Sequence, residues 1–475
     1  MTQLPEFLKR SLLEGLPEGW NPNRDLLFAF GPHASHLIEL HRAIGQQRFV
    51  LVLPDGGVAP EPLAPGIVAV PPDLVSEAIR TFGEPRPELV HRVPIDDTAG
   101  TQEFLDRVRN EARRGLSEWR VNEQLIARTG AMWLDQTLKN LPVVARHPSV
   151  AELAGILDGA PVVCVSPGPS LSSQLDPLAR AAKRAIVVCG SHALSALLEH
   201  EIRVDFVVVQ DAGEIVLRHF EGVDLSRVGA LVASTNVRPE LARLDIARKF
   251  FFAANGPLDD WIFPDPRARL SSGGSVACAA FSLANLVGAN PIVLVGQDLA
   301  LSADGRYYAE ETLDGAARVE FSEAGFHLVK PPSATGPGLR LDDGRLQFTR
   351  TRRVTRIAGY GGGEVTSTQS LIRFRDWFQD EAKRFGPVRR LVNATGGGAR
   401  IAGFEERSLE SLLADWPERS RLDVEELPRA TDEAMLRLHV LSAAAPDGRA
   451  ARFVERHDLL PGQSLEERVR RELAT

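Results

Sequence analysis

Six short apolar runs recur at near-regular intervals through the middle of this 475-residue chain, and they constrain the fold more than any other feature. They fall at 161–166, 185–189, 204–210, 229–234, 249–254 and 291–296, separated by segments of helical character. Runs this short, rich in Val, Ile and Phe and apolar at successive positions, suit strands covered on both faces. Alternation with helices predicts a doubly wound, largely parallel, Rossmann-like sheet. Such sheets bind ligands where the carboxyl ends of the strands open into loops.

A second block precedes this one. Leu26–Phe30 is closed by Gly31, and Phe49–Leu53 is closed by Pro54-Asp55; a helical segment with Leu37, Leu40 and Ile44 lies between them. This predicts a smaller α/β domain over 1–100. A helical pattern over 102–140, with Trp119, Leu125, Trp133, Leu134 and Leu138 on one side, predicts a connector over 101–150 that Pro142 and Pro148 end. The central domain then covers 151–404. Within it, 302–350 is polar, rich in Gly and Pro and poorly periodic, which predicts a long loop that is a lid, a binding insertion or disordered. Helix returns over 366–385, with Leu371, Phe374, Trp377 and Phe378 on one face, and 405–475 reads as a charged helical region.

Net charge −8 gives no basic footprint for nucleic acid. The basic run Arg350-Thr351-Arg352-Arg353 reads as solvated surface. The least polar stretch, 274–296, is interrupted by Ser282, Asn285, Gly288, Asn290 and Pro291, too often for a membrane span. The three cysteines have no metal-type spacing, and Cys164 and Cys189 sit inside apolar runs. With no basic, apolar leader at Met1–Pro5, this predicts a cytoplasmic protein without a disulfide framework.

Four strand ends could carry chemistry. Val162–Val165 runs into Ser166-Pro167-Gly168-Pro169-Ser170-Leu171, where Gly168 permits close approach, Pro169 suits a first helical turn, and Ser170 with free N–H groups can meet an anion. The same turn would serve equally as an ordinary capped β–α connection. Ser271-Ser272-Gly273-Gly274-Ser275 precedes an Ala-rich helix and offers a second nest of donors. Ile292–Val295 ends in Gly296-Gln297-Asp298, and Asp298 there can bond a ribose, orient a base or coordinate a metal, although an isolated Asp more often caps a helix or turn. Gln210-Asp211 and Ser234-Thr235-Asn236 end two further strands. His192, after the run at 185–189, reads either as a ligand on the rim of the site or as a capped surface histidine, with the second favoured. No Ser/His/Asp order and no paired-His metal motif is legible.

Taken in order, Gly168–Leu171, Ser272–Ala277, Gly296–Ala300, Gly361–Thr366 and Asn393–Ile401 resemble the motility-associated factor (Maf) family of bacterial flagellin glycosyltransferases, whose central domain is similar to bacterial sialyltransferases. The resemblance implies transfer of a nonulosonic acid, a sialic-acid-like sugar such as pseudaminic acid, from a CMP-activated donor to Ser/Thr hydroxyls of flagellin. It implies that Gly168, Pro169, Ser170, Leu171, Asp211, Asn236, Ser272, Gly273, Gly274, Ser275 and Gln297 surround the nucleotide. Tyr308 falls where the sialyltransferases set a phenol on the leaving phosphate. Three features depart from the pattern: Ala300-Leu301 replaces a second tyrosine, Glu364-Val365-Thr366 stands where a catalytic histidine is expected, and Gly396 stands where the family usually has glutamate. Glu364, Asp298 and His327 are then the candidate bases. No cofactor is required, although the carboxylates would tolerate Mg2+. The expected partners are the donor and flagellin, with neither nucleic acid nor membrane, and the helices after 405 are expected to meet flagellin. Two other classes use the same motifs: a 6-hydroxymethylpterin pyrophosphokinase, and a flagellin-binding factor without turnover.

Overall fold

The computed structural model describes residues 18–21, 23, 25–30, 48–53, 67–81, 90–93, 102–254, 258–271, 273–322, 325–332, 338–347, 353–416, 422, 424–429, 433–446 and 448–474. The segment 37–44, Ser272 and Arg350–Arg352 lie outside these residues. The chain divides into two compact units, Met1–Thr129 and Gly130–Thr475.

The first unit holds a four-stranded parallel sheet of β1 (Leu26–Phe30), β2 (Phe49–Val52), β3 (Ile67–Val70) and β4 (Val90–Val93), in the order β3-β2-β1-β4. Leu26, Val50 and Val52 pack with Val75, Ala78 and Ile79 of α1 (Val75–Thr81) in one apolar core. The division between the units falls inside α2 (Gln102–Val144). That helix does not stop at Pro142. Leu134, Leu138, Leu141 and Val144 are all buried, and Asn140 Nδ2 donates to the carbonyls of Thr235 and Val237. Tertiary packing thus overrides the missing N–H of the proline.

The second unit is built on an eight-stranded parallel sheet. Its strands are β5 (Val162–Val165), β6 (Ile186–Gly190), β7 (Val204–Val209), β8 (Val228–Ser234), β9 (Arg248–Phe252), β10 (Ile292–Val295), β17 (Leu391–Asn393) and β18 (Glu405–Glu406). They run in the order β18-β17-β10-β5-β6-β7-β8-β9. Each predicted central strand is present to within two residues at either end. One face of the sheet, carrying Val162, Cys164, Val188, Phe206, Val232 and Leu294, is buried under the Ala-rich helix α5 (Val276–Leu286) and Phe378 of α6 (Gln369–Phe385). Small side chains at Ala279, Ala280 and Ala284 let α5 approach closely, and all three are buried. The opposite strand positions, such as Val163, Val187 and Val207, are buried as well, so both faces are covered. The remaining helices that matter below are α3 (Leu171–Ala181), after β5, and α4 (Leu194–Glu199), after β6.

The segment 302–350 is not the structureless loop expected. It carries an antiparallel sheet of β11 (Arg318–Ser322), β12 (Gly325–Lys330), β13 (Leu339–Arg340) and β14 (Leu346–Gln347), in the order β11-β12-β14-β13. Phe326 and Leu328 of β12 form a small apolar cluster with Leu301, against which Tyr307 and Tyr308 pack. A hairpin of β15 (Val354–Ala358) and β16 (Glu364–Thr368) follows, so the helix α6 starts at Gln369 rather than 366. Past 405 the described residues are mainly helical, but Glu405–Glu406 forms the edge strand of the large sheet.

Candidate functional site

Strand connections reverse direction between β5 and β10: the chain steps one way from β5 to β9 and lies on the other side from β10 onward. At such a switch point neighbouring loops diverge and leave a crevice at the carboxyl edge. A cleft of about 380 Å³ opens there, lined by the ends of β5, β6, β7 and β10 and by Tyr307, Tyr308 and Asp314 of the insertion.

The Gly168–Leu171 turn lies at the base of this crevice but is already occupied from within. The Gly168 N–H donates to the Gly296 carbonyl at 2.9 Å, tying the two strand ends together. Ser170 then donates its hydroxyl to Asp298 Oδ2 at 2.8 Å and its N–H to both carboxylate oxygens at 3.2 Å. The carboxylate therefore sits where the turn at the start of α3 would receive an anion. A Cβ on Gly168 would run into Asp298 Oδ2 and the Gly296 carbonyl, which is why the turn needs glycine there. Burial pushes Asp298 up to about 6, against the opposing pull of the Ser170 hydrogen bonds. Asp298 borders both this cleft and an adjoining cavity of about 410 Å³ that also touches Ser170, Ser302 and Gly397.

The other expected site residues divide. Gly168, Pro169, Asp211, Ser275, Gln297, Asp298 and Tyr308 line the cleft, and Ser170 lines the adjoining cavity. Asp211 Oδ1 accepts from the Gly213 N–H at 2.7 Å, and Gln297 Oε1 accepts from the Ser166 hydroxyl at 2.6 Å. Ser275 caps α5 by accepting from the Ala277 N–H. Leu171 is fully buried beneath the turn. Gly273 and Gly274 turn with positive φ beside Trp377 and Phe374 and are not among the lining residues themselves. Asn236 is buried and bonded to the Ser234 hydroxyl at 2.7 Å; it does not reach the lining. Glu364 is exposed on its hairpin, 3.5 Å from Arg356, and His327 lies beside Glu320 on the small sheet; neither lines the cleft.

The largest departure from the sequence reading is His192, which is not a surface side chain. It follows β6 and stacks on His219, from the segment after β7, with ring centroids 4.7 Å apart and planes 5° from parallel. Tyr308 meets the His192 ring at 4.6 Å, and the Ser191 hydroxyl lies 3.0 Å from His219 Nδ1. His192 Nε2 is 3.5 Å from Asp314 Oδ2 and makes no hydrogen bond among the described residues; Asp314 in turn pairs with Lys330. Burial holds His192 down to about 4 and lowers His219 too, so both rings are neutral near pH 7. Tyr308 is fixed from the other side: the Ala309 N–H donates to the Pro167 carbonyl at 3.0 Å and Glu310 N–H to the Ser172 hydroxyl at 3.2 Å.

No Lys or Arg is among the described residues lining the cleft, and no group of three or more His, Cys, Asp or Glu among the described residues is arranged for a metal ion. All three cysteines are free and buried, and burial raises the Cys164 thiol to about 12. Among the described residues, no helix is long and apolar enough to cross a membrane.

Fold and cleft together define a doubly wound α/β protein with an open cleft at the topological switch point. Residues 135–304 match the family described as 6-hydroxymethylpterin diphosphokinase MptE-like. The fold is similar to the solved structure of a Maf glycosyltransferase from Magnetospirillum magneticum AMB-1, with a TM-score of 0.52 and 15% identity over 100% of this chain and 77% of that one. The fold that the motifs led to is thus found again in a Maf glycosyltransferase structure. No curated protein matches the chain.

Proposed function

We propose that the chain is a cytoplasmic glycosyltransferase that moves a nonulosonic acid from a CMP-activated donor to Ser/Thr hydroxyls of flagellin. The observation that carries this reading is Tyr308, the residue the resemblance assigns to the leaving phosphate, in the wall of the switch-point cleft. A phenol there stabilises charge developing on the departing CMP. Asp298 is the better candidate base, because it borders both cavities whereas Glu364 is exposed on a hairpin. In that step the acceptor hydroxyl proton passes to Asp298 as the oxygen bonds to the anomeric carbon, and the bond to the phosphate breaks with its electron pair going to CMP. The helices after 405 are assigned to the protein acceptor, and no resident cofactor is assigned.

Thermal shift with CMP, CTP, UDP and ATP tests the donor class; stabilisation by ATP but not by cytidine nucleotides overturns this reading. That outcome would favour a pyrophosphokinase, the activity named by the family match, although the end of β7 offers Asp211 alone where a pair of carboxylates would hold a cation between phosphates. If cytidine nucleotides bind, intact-mass measurement of co-expressed flagellin tests turnover. An unmodified flagellin would leave a binding factor without transfer. Repeating the transfer with EDTA measures any demand for Mg2+.

A further inference from the structure

We propose that the stacked pair His192–His219 is the phosphate-binding element of the cleft and takes up one proton when an anionic ligand binds. The inference rests on reading the cleft as a nucleotide site, and it relocates the phosphate from the Gly168–Leu171 turn to the side chains after the neighbouring strand β6 and after β7.

Three observations lead there. First, the anion position at the start of α3 is filled by Asp298, so a phosphate would have to expel a buried, triply hydrogen-bonded carboxylate to enter it. Second, no Lys or Arg among the described residues lines the cleft, so a phosphate arriving there would be left without a countercharge. Third, His192 and His219 do line it, beside the Ser191 hydroxyl and Tyr308. They are the cleft-lining groups that can become positive near neutral pH.

The surroundings set the stoichiometry. Asp314 faces both rings and favours a proton on either; Asp211 adds to this at His219. Lys330, on Asp314, opposes charge on His192, and Arg218 opposes it on His219. Each ring also opposes charge on the other across the 4.7 Å stack, so the pair takes one proton, not two. An imidazolium has two N–H groups. On His192 the Nε2–H is placed to meet Asp314 Oδ2, now 3.5 Å away, and the remaining N–H is available to the phosphate. The proton comes from solvent, and no covalent bond to carbon or phosphorus changes.

The test is titration calorimetry with CMP, ATP and inorganic pyrophosphate between pH 7 and 8, repeated in buffers of different ionisation enthalpy. Uptake approaching one proton, with Kd weakening up to tenfold per pH unit, is expected for a ligand that binds here. His192→Gln and His219→Gln should each abolish most of the uptake. Because a buried stack can be intolerant of substitution, the wild-type uptake is read first and needs no variant. Imidazole NMR signals should shift to the protonated form as ligand is added. CMP binding without proton uptake overturns this inference and leaves the proposed function standing. ATP or pyrophosphate binding with uptake, and no CMP binding, does the reverse. No binding by any probe overturns both.

Discussion

Two consecutive strand-end turns on one sheet meet opposite fates. The turn after β5 has the sequence signs of an anion cradle, a glycine, a proline and a serine at a helix start, and its donors go to Asp298 of the same chain. The turn after β6, Gly190-Ser191-His192, has no such signs, yet it delivers two polar side chains to the cleft beside His219 and Tyr308. Donor-rich backbone at a helix start is thus a capacity, and a neighbouring strand end decides what fills it. The first turn clasps β5 to β10, and the second brings the side chains to which the proposed phosphate contact is assigned.

That contrast can be broken most forcefully at Gly168. Gly168→Ala sets a Cβ against Asp298 Oδ2 and the Gly296 carbonyl, neither the end of a long flexible side chain. A loss of about 3 kcal/mol or more is expected, read as a lower urea midpoint at unchanged m. If the turn were a loose ligand loop, the variant would be nearly as stable as the parent. The next effect is on pH dependence, where the two sites oppose each other. Asp298 titrates at about 6 when folded against an ordinary 3.8, so its contribution is present below 3.8 and is lost as pH rises through 6. His192 titrates at about 4 against 6.5, so its contribution is present above 6.5 and is lost as pH falls through 4. Each corresponds to about 3 kcal/mol, with opposite slopes over nearly the same window. Asp298→Asn should therefore make stability rise more steeply from pH 4 to 6.5, and His192→Gln should turn the same interval flat or falling. Equal curves for the two variants would sink the contrast.

The parts of this arrangement legible in the sequence are those that short-range pattern controls. The apolar runs predicted at 161–166 and 291–296 are β5 and β10 almost residue for residue, because strands buried on both faces leave little choice of side chain. The bond between Ser170 and Asp298 was not legible, since it depends on β10 lying beside β5 across 128 residues. His192 alone carries only its place after a buried strand, which fits a rim ligand and a capped surface side chain alike. It becomes part of a site only when parallel pairing of β6 and β7 brings His219 against it and the insertion brings Tyr308. A polar residue directly after a buried strand was the available clue, as it was for Asp211 and Asp298. The insertion hid its sheet for a related reason: strands as short as Leu339–Arg340 and Leu346–Gln347 show no period.

Smaller effects sharpen the same comparison. Ser170→Ala removes the hydroxyl that Asp298 Oδ2 accepts from and leaves the carboxylate with the N–H alone. A loss of about 2 kcal/mol in stability is expected, since hydrogen bonds to buried charge are among the stronger ones. Ligand affinity should stay within about twofold, because the phosphate is assigned to the histidine wall; a tenfold loss of affinity with unchanged stability would return it to the Gly168–Leu171 turn. The smallest effect belongs to Glu364. Its side chain is 63% exposed and its ion pair with Arg356 is 3.5 Å long, so Glu364→Gln should change stability by less than about 0.5 kcal/mol. Transfer should persist as well, because the hairpin does not carry Glu364 into the cleft lining. Asp298→Asn, by contrast, should abolish transfer while CMP remains bound, since an amide can accept the Ser170 bonds but cannot take the acceptor proton. The reverse pattern, transfer lost with Glu364→Gln and kept with Asp298→Asn, would require the hairpin to close over the cleft during the reaction and would make the clasp purely structural.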